Sequence, residues 1–374
     1  MKPQSIPDSQ PVALPPSTDD FFTKYVVDKI LSTAEKHSSS NTIIAFCHHI
    51  ASGQLAAAKL FIQYSDTPTG DADLDLDLDL EDAINDYTKL SYETEVYRHI
   101  TKKPICNTVR WISTQYYSKA DFKRGALRKK LQSLIPAGLE KNVIGYKVLI
   151  TERRTGAQSL DNLLHLPVKA LKAILFQLIF SLLQATYYGF QNNDLRLGNL
   201  LIDLQPAEHY IDYQYRGVHY RVDVSEGKLL LFDWDLASCK PCGRNAILDI
   251  DYCPRLGMCN EINPRFDIYT ALRELQIPDQ GYTDFLKDVG IRKKKVKNIN
   301  TDEFLLYRTT PGMEIPITYN RTHILQAWSH RMCNFDQASK QCIPYKPPAP
   351  RQVWAPAKML KHPYFAPFII IIID

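Results

Sequence analysis

The feature that most constrains the fold is a long helical segment from Val168 to Phe190, with apolar side chains on nearly every face. A helix of this kind has no face suited to water, so other elements have to cover it on all sides. The segment therefore predicts a mainly helical lobe built around residues 168 to 190.

Ahead of this helix the chain is predicted to be mostly extended. Runs rich in β-branched and aromatic residues predict four strands: Asn41–Phe46, Leu55–Tyr64, Val109–Tyr117 and Val143–Thr151. Ser52 and Gly53 supply a turn between the first two strands. Apolar spacing favours helices at Phe22–Ser32 and Ile84–Ile100.

After the apolar helix in the sequence, short strands and then helices are predicted. Leu200–Asp203 and Leu229–Phe232 are apolar runs of strand length, and Tyr210–Val224 alternates like a hairpin. Residues 266 to 290 have helical spacing. This order predicts an α+β fold with segregated lobes, a small β-rich lobe with one key helix and a larger, mainly helical lobe.

Four segments fall outside these elements. Residues 1–20 are rich in Pro, Ser and Gln and predict a disordered tail. An Asp-Leu repeat within residues 66–82 predicts a low-complexity surface insert, and residues 119–141 form a basic connector. The hydrophobic tail, residues 367–374, is too short to span a bilayer and predicts a terminal strand.

The composition is that of an ordinary globular protein, with 45% hydrophobic and 23% charged residues. A net charge of +4 does not predict a nucleic-acid partner. The basic runs at 119–141 and 292–297 are expected to be solvated faces, and docking of an acidic partner is the alternative. No membrane span is expected, because no stretch reaches the ~20 apolar residues that cross a bilayer.

The chain has eight cysteines, and its first residues lack the apolar core of a secretory signal. We therefore expect an intracellular, reducing compartment (cytoplasm, nucleus or a virion), with thiols or metal ligands rather than disulfides. Cys239 and Cys242 have the spacing of a zinc site, and Cys253 and Cys259 follow them. Free thiols are the favoured interpretation and zinc is the alternative.

The first candidate for chemistry is the sequence Asp194-Leu-Arg-Leu-Gly-Asn199, between the apolar helix and a short strand. An Asp and an Asn on one loop can face the same reaction centre, with Asp194 accepting a hydroxyl proton and Asn199 holding a metal ion. Both residue types are also common turn formers, so this loop needs further support.

Three more residues supply that support. Asp233 ends a predicted buried strand, where a carboxylate suits Mg²⁺. Lys59 stands alone among apolar residues in the strand Leu55–Tyr64, and a buried ammonium group needs a partner. Glu93, in the predicted helix, is the favoured partner, and Glu95 is the alternative.

In their order along the chain, these motifs resemble the protein kinase family. Ile150-Thr-Glu152 is similar to the hinge of that family, and Asp267 resembles the residue that holds the catalytic loop. Lys361-His-Pro-Tyr-Phe365 resembles the segment that closes the large lobe. The resemblance implies a two-lobed kinase-like fold, with an N-lobe at residues 21–152 and a C-lobe at residues 153–366.

The resemblance also implies a function, that of an ATP- and Mg²⁺-dependent serine/threonine protein kinase acting on a protein substrate. Asp194 would orient the attacking hydroxyl, and Arg196 would neutralise charge on the transferring phosphoryl group. Lys59, positioned by Glu93, would hold the α and β phosphates. The other cofactor-binding residues implied are Asn199 and Asp233 for Mg²⁺, and Ser38, Ser39, Ser40, Thr151 and Glu152 for the nucleotide.

The sequence departs from the family at several positions. The phosphate-covering stretch, residues 37–42, has no Gly, which hinders close approach of the backbone to phosphate. Asn192 and Asn193 replace the usual His-Arg, whose Arg binds an activation-loop phosphate, so activity is predicted not to need phosphorylation there. Asp235 replaces a Gly, and no Ala-Pro-Glu is visible. The pattern is similar to haspin-type kinases and to divergent kinases of large DNA viruses.

Two other functions stay open. A small-molecule kinase of the aminoglycoside or choline type often has Gly-Asn in its catalytic loop, as at Gly198 and Asn199 here. A pseudokinase that acts as an interaction protein is favoured by the missing glycines and by the pair Asn192 and Asn193.

Overall fold

The computed structural model describes only part of the chain. The described residues are 21–31, 42–64, 91–118, 129, 132, 133, 135, 142–248, 260–291, 333–336, 341–344 and 353–370. Several predicted features lie outside them: the tail 1–20, the acidic insert 66–82, Ser38, Ser39 and Ser40, most of the connector 119–141, the basic run 292–297, and Cys253 and Cys259.

The chain divides into two compact units. One consists of residues 1–90 and 111–153, and the other of residues 91–110 and 154–374. The first is built on a β-sheet and the second is mainly helical with short strands, so the α+β class is confirmed. Residues 91–110 were expected in the N-lobe; they belong to the second unit because the helix within them hydrogen-bonds there, as described below.

The first unit contains a five-stranded antiparallel sheet with strand order β1-β2-β3-β5-β4. Its strands are Tyr25–Ile30 (β1), Thr42–His49 (β2), Leu55–Tyr64 (β3), Trp111–Ser118 (β4) and Val143–Glu152 (β5). Gly53 makes the predicted turn between β2 and β3 with φ of 67°, in the left-handed region that favours glycine. Ala56, Ala58 and Leu60 of β3 are fully buried, as the alternation of a strand with one face in the core requires.

The predicted helix Phe22–Ser32 is wrong. Only Phe21–Lys24 is helical, and the following residues form β1 along the edge of the sheet. Pairing with β2 gives this segment its backbone hydrogen bonds, while the buried ring of Tyr25 stacks on Phe21 with centroids 5.1 Å apart. Tertiary pairing thus outweighs a local helical spacing that was short.

The second unit is built around the core helix, Val168–Tyr188. The helix ends at Gly189, whose φ of 85° allows its N–H to bond to the carbonyls of Ala185 and Thr186. It is long and apolar enough to cross a membrane, contrary to the expectation that no segment is, yet most of it is buried inside this unit. Burial by protein accounts for its composition.

The second unit also contains short strands and helices. The strands are Ala157–Ser159 (β6), Phe190–Gln191 (β7), Leu200–Asp203 (β8), Tyr210–Tyr215 (β9), Val218–Asp223 (β10), Lys228–Leu231 (β11), Ser238–Cys239 (β12), Cys333–Asp336 (β13), Gln341–Pro344 (β14) and Ile369–Ile370 (β15). The α-helices are 91–102, Phe266–Glu274, Gln280–Asp288 and Pro356–Met359, and the 3-10 helices are Leu160–Leu163, Leu197–Asn199, Lys240–Cys242 and Pro363–Phe368.

The predicted hairpin is confirmed, and the structure adds strand pairings that the sequence had not specified. β8 lies between β6 and β11, and β9 and β10 form the predicted hairpin, to which β15 adds a third strand. Gln177 of the core helix fixes β11, because its Oε1 accepts the Leu229 N–H at 2.9 Å and its Nε2 donates to the Gly227 carbonyl at 3.2 Å. The sheet edge that carries Asp233 is therefore attached to the buried helix.

The single helical stretch predicted at 266–290 is two helices. The first ends at Glu274, and the second begins after Asp279, whose side chain accepts the Tyr282 N–H at 3.1 Å. Pro278 precedes that cap and has no N–H to continue a helical ladder.

The expectation of free thiols is wrong at one pair. Cys239 and Cys242 are joined by a disulfide, whereas Cys47 and Cys106 are free. The spacing that suggested zinc also lets two sulfurs meet across one turn, with the Cα atoms 5.2 Å apart, inside the range that a disulfide allows.

Phe176 lies at the centre of the aromatic core of the second unit. Its ring is fully buried, with the rings of Tyr220 and Phe368 at centroid distances of 5.1 Å and 5.2 Å. We expect Phe176→Ala to lower the free energy of unfolding by about 3–5 kcal/mol, because it leaves a cavity in this core. Denaturant unfolding measures the change. Tyr187→Ala, at a ring 82% exposed, is the control and should change it by under about 0.5 kcal/mol. Equal decreases in the free energy of unfolding for the two variants would contradict the central position of Phe176 in the core.

Candidate active site

The Asp194 loop, residues 192–199, connects β7 to β8 and contains two of the predicted site residues. Asn199 donates from Nδ2 to the carbonyl of Asp194 at 2.9 Å and to its Oδ2 at 3.1 Å. The Arg196 N–H also donates to the Asp194 carbonyl, at 3.0 Å, and the Arg196 side chain is exposed. The structure thus brings Asp194 and Asn199 together as the sequence predicted and leaves the guanidinium at the surface.

The Asp267 helix, Phe266–Glu274, holds this loop through hydrogen bonds. The carboxylate of Asp267 accepts the Asn192 N–H at 2.7 Å and the Asn193 N–H at 2.9 Å. These bonds confirm that Asp267 holds the loop. They also stabilise the backbone of Asn193, which has φ of 68°. This left-handed conformation is uncommon for residues other than glycine.

Two further residues of the same helix contact the loop, and the sequence reading missed them. Thr270 donates from Oγ1 to the Leu195 carbonyl at 3.1 Å, and Glu274 accepts the Leu197 N–H at 2.9 Å. Together with Asp267 they follow the i, i+3, i+7 spacing of one helix face. Polar residues at this spacing, among the apolar residues of the same helix, were the signal that could have revealed them.

The environment of Asp267 shifts its titration. Burial raises the pKa of the Asp267 carboxyl to about 6, against the lowering effect of the two backbone N–H bonds, and the charge of Asp194 raises it further. The loop is therefore held by an acid whose charged form is costly to bury and is compensated by hydrogen bonds.

Asn192 joins the loop to Asp233. Its Nδ2 donates to the carbonyl of Asp233 at 2.9 Å, and its Oδ1 accepts the Asp194 N–H at 3.1 Å. Asp233 has φ of 61°, a second left-handed residue in this region. The buried side-chain amide of Asn192 therefore connects the backbones of Asp194 and Asp233. Left-handed backbone at residues other than glycine, as at Asp233, is often found at functional sites.

The structure distinguishes between the two glutamates of the predicted helix. Glu93 is 2% exposed, and its Oε1 accepts the Trp234 N–H at 3.3 Å, next to Asp233. Glu95 is about half exposed and forms an ion pair with Arg98 one turn along the helix. Burial and contact favour Glu93 as the residue associated with the site.

Buried amides also hold the chain that follows Asp233. Asn193 donates from Nδ2 to the Leu236 carbonyl at 2.9 Å and to Ser238 Oγ at 2.8 Å. Asn245 donates from Nδ2 to the carbonyls of Asp235 and Ala237, both at 3.1 Å. Asn245 is a residue that the sequence reading missed, since one Asn in a loop has no distinguishing pattern.

The remaining predicted residues belong to the first unit. Lys59 lies in the middle of β3, with its ammonium 5.5 Å from the ring centroid of Phe61. Thr151 and Glu152 end β5, where the Thr151 hydroxyl donates to the Ala57 carbonyl at 3.5 Å. Lys59 and Thr151 lie in strands as predicted, and β5 continues one residue further, through Glu152, which was expected in the hinge.

Comparison with known proteins gives structural likenesses only. No family model matches the sequence, and no curated protein matches it. The chain is similar to the crystal structure of the Rad53 kinase domain and SCD2, at 13% identity over 93% of this chain and 90% of that chain, with a TM-score of 0.41. It is also similar to the BubR1 kinase domain, at 11% identity over 59% of this chain and 48% of that chain, with a TM-score of 0.35.

Asp267→Asn tests how the loop is held. The variant keeps the shape but places an NH₂ group against a backbone N–H donor, so at pH 7 we expect the free energy of unfolding to fall by about 1–3 kcal/mol. Denaturant unfolding at several pH values measures it.

The raised pKa of Asp267 also predicts how the free energy of unfolding changes with pH. Between the ordinary pKa of 3.8 and about 6, wild-type Asp267 binds more protons in the folded than in the unfolded state. Stability from this group therefore falls as pH rises through that window, and the Asn variant has no such titration. The wild-type advantage over Asp267→Asn should be larger at the acidic end than at pH 7. An advantage that grows with pH would contradict the raised pKa.

Proposed function

We propose that this chain is an ATP-dependent phosphotransferase that transfers the γ-phosphate of ATP to a serine or threonine hydroxyl of a protein. The observation that supports it most is the hydrogen-bonded set of Asp194, Asn199 and Asp233, joined through Asn192. These residues supply a proton acceptor and two oxygen ligands on one rigid support, which is what phosphoryl transfer needs from a protein.

Asp194 is proposed to orient the attacking hydroxyl and accept its proton. An ionised carboxylate is acceptor-only, so it can receive the substrate O–H while Asn199 donates to its Oδ2. The Asn199 bonds also fix the direction of the carboxylate, and accurate positioning is the larger part of the rate in such reactions.

The donor set fits Mg²⁺. Asn199 uses its amide nitrogen on Asp194, so the ligand atom it offers is Oδ1, and Asp233 offers a carboxylate. Among the described residues there is no cluster of three His, Cys, Asp or Glu that would enclose a metal, and Mg²⁺ takes few protein ligands when phosphate oxygens complete its shell. When bound, Mg·ATP supplies the phosphoryl group and neutralises charge on its oxygens.

The other roles are part of the same proposal. Lys59 would bind the α and β phosphates with Glu93 positioning it, and Arg196, exposed beside Asp194, would neutralise the transferring group. Thr151 and Glu152 would contact the nucleotide, together with the serines at 38–40. The protein substrate would dock in part through the basic runs, which suit an acidic surface.

The catalytic prediction concerns Asp194. We expect Asp194→Asn, which keeps the shape of the side chain, to lower kcat about 10²–10⁴-fold, because the proton acceptor is lost. Radiolabelled ATP offered to mixed proteins and to small hydroxyl compounds measures transfer. The melting-temperature rise with Mg·ATP should persist in the variant, since ligands that bind the folded state stabilise it.

Asp284→Ala, at an exposed carboxylate of the helix Gln280–Asp288, is the matched control and should keep wild-type activity. Transfer to small compounds alone would favour the small-molecule kinase. A melting-temperature rise without transfer to anything would favour the pseudokinase, in which the pair Asn192 and Asn193 already departs from the family.

Activity is also predicted to be independent of phosphorylation after Asp233. Ser238 and Tyr252 are the only hydroxyl side chains between Asp235 and Phe266, and Tyr252 lies outside the described residues. Asn193 donates to the Leu236 carbonyl and to Ser238 Oγ, and Ser238 is fully buried, which supports the prediction for Ser238. A phosphatase-treated sample, checked by mass spectrometry, should keep full activity. Loss of activity on treatment, restored by rephosphorylation, would contradict this prediction.

A further inference from the structure

The chain beyond Asp233 closes into a small loop at residues 239–243, which we call the disulfide loop. Cys239 and Cys242 are bonded through their sulfurs, and Cys239 also forms a β-bridge with Gly243. The disulfide loop is attached to the strand that precedes the Asp194 loop, because β12 pairs with β7. The Lys240 N–H also donates to the Gly189 carbonyl at 2.8 Å. Cys239 is 2% exposed, whereas Cys242 is partly accessible.

One hydroxyl bridges the two ends of the disulfide loop. Tyr92 OH accepts the Cys239 N–H at 3.1 Å and donates to the Gly243 carbonyl at 2.9 Å. Its contact with the Cys239 carbonyl is longer, at 3.5 Å. The two backbone groups belong to the first cysteine of the disulfide and to the residue directly after the second, so one hydroxyl spans the closed loop.

Tyr92 immediately precedes Glu93 in the helix 91–102. Glu93 accepts the Trp234 N–H at 3.3 Å, so the first turn of this helix contacts the chain directly after Asp233 and again at the disulfide loop. Tyr92 and Glu93 are adjacent residues of one helical turn, so this turn provides the contact to the disulfide loop and the contact to the Trp234 N–H.

We propose that Tyr92 is a positioning residue that couples the thiol state of Cys239 and Cys242 to the placement of Glu93. The closed disulfide holds the Tyr92 acceptor and donor in place and keeps Glu93 against Trp234. Opening the disulfide releases Tyr92 and loosens the helix at Glu93. The inference rests on the proposed function, because Glu93 affects catalysis only if it positions Lys59.

The chemical step is thiol–disulfide exchange with a dithiol such as dithiothreitol. The Sγ–Sγ bond between Cys239 and Cys242 breaks, and a disulfide forms within the reagent. The two reagent thiols supply the two electrons and two protons that the cysteines gain. Partial access at Cys242 makes its sulfur the one that the reagent thiolate attacks.

The first experiment needs no catalytic activity. The full chain is equilibrated at fixed ratios of reduced to oxidised dithiothreitol, trapped with a mass-tagged maleimide, and the Cys239–Cys242 peptide is quantified. We expect Tyr92→Phe to raise the equilibrium constant for reduction about fivefold, which corresponds to one lost hydrogen bond. Tyr187→Phe, an exposed hydroxyl on the core helix, is the control and should give the wild-type value. An unchanged constant in Tyr92→Phe overturns the coupling.

The wild-type chain provides a second readout that does not depend on a variant folding. Hydrogen exchange of the peptide that contains Trp234 and Cys239 should speed up several-fold on reduction, because the acceptors at Glu93 and Tyr92 are released. Exchange that is the same in both thiol states overturns the inference, whatever the fate of Tyr92→Phe.

The third readout joins the coupling to catalysis. Reduction should lower kcat/KM for ATP in the wild type about fivefold, and Tyr92→Phe should show a similar loss that reduction does not deepen. Additive losses would mean a merely structural role for Tyr92 and overturn the coupling. A shifted reduction constant in a chain that transfers no phosphate would support the coupling and overturn the proposed function instead.

Discussion

A carboxylate inside the helical core determines the backbone that presents the site. Asp267 is 6% exposed and accepts two consecutive N–H groups, those of Asn192 and Asn193, at 2.7 Å and 2.9 Å. A left-handed conformation at a residue such as Asn193 costs on the order of 1 kcal/mol and persists only where the surroundings impose it. The helix imposes it here, and Thr270 and Glu274 extend the attachment along the loop.

The links within the site are mostly neutral amides. Asn192 connects Asp194 to Asp233, Asn199 fixes Asp194, and Asn193 fixes the residues that follow Asp233. Amide hydrogen bonds do not weaken with ionic strength as exposed ion pairs do, and they form no charge that needs a counter-ion. This arrangement keeps the backbones of Asp194 and Asp233 in a fixed relation through neutral side chains.

The elements with a strongly apolar sequence were predictable, and those with a few spaced apolar residues were not. The core helix and the strands Leu200–Asp203 and Lys228–Leu231 were found close to the expected positions, because segments so rich in apolar residues have to be buried. The stretch at 22–32 carried only a few spaced apolar residues, and an available sheet edge made it a strand. The helical stretch predicted at 266–290 is two helices, separated by residues 275–279, which include Pro278.

The site residues show the same division. Asp194, Asn199 and Asp233 could be selected because their side chains suit a proton acceptor and Mg²⁺, and because their order along the chain resembles that of the protein kinase family. The sequence favoured Glu93 over Glu95 as the partner of Lys59, and the structure shows that Glu93 is buried beside Trp234 whereas Glu95 is about half exposed. Thr270, Glu274 and Asn245 were missed.

By itself, the sequence determined which segments had to be buried and which side chains could bear charge at a reaction centre, because both follow from local residue type and period. Only the tertiary structure decided which donor meets which acceptor, as at Asn193 with Ser238 or at Tyr92 with Cys239. It also decided that two cysteines form a disulfide. Such contacts join groups far apart along the chain. Each donor has many chemically equivalent acceptors in the sequence, and the folded backbone determines which acceptor lies within hydrogen-bond distance.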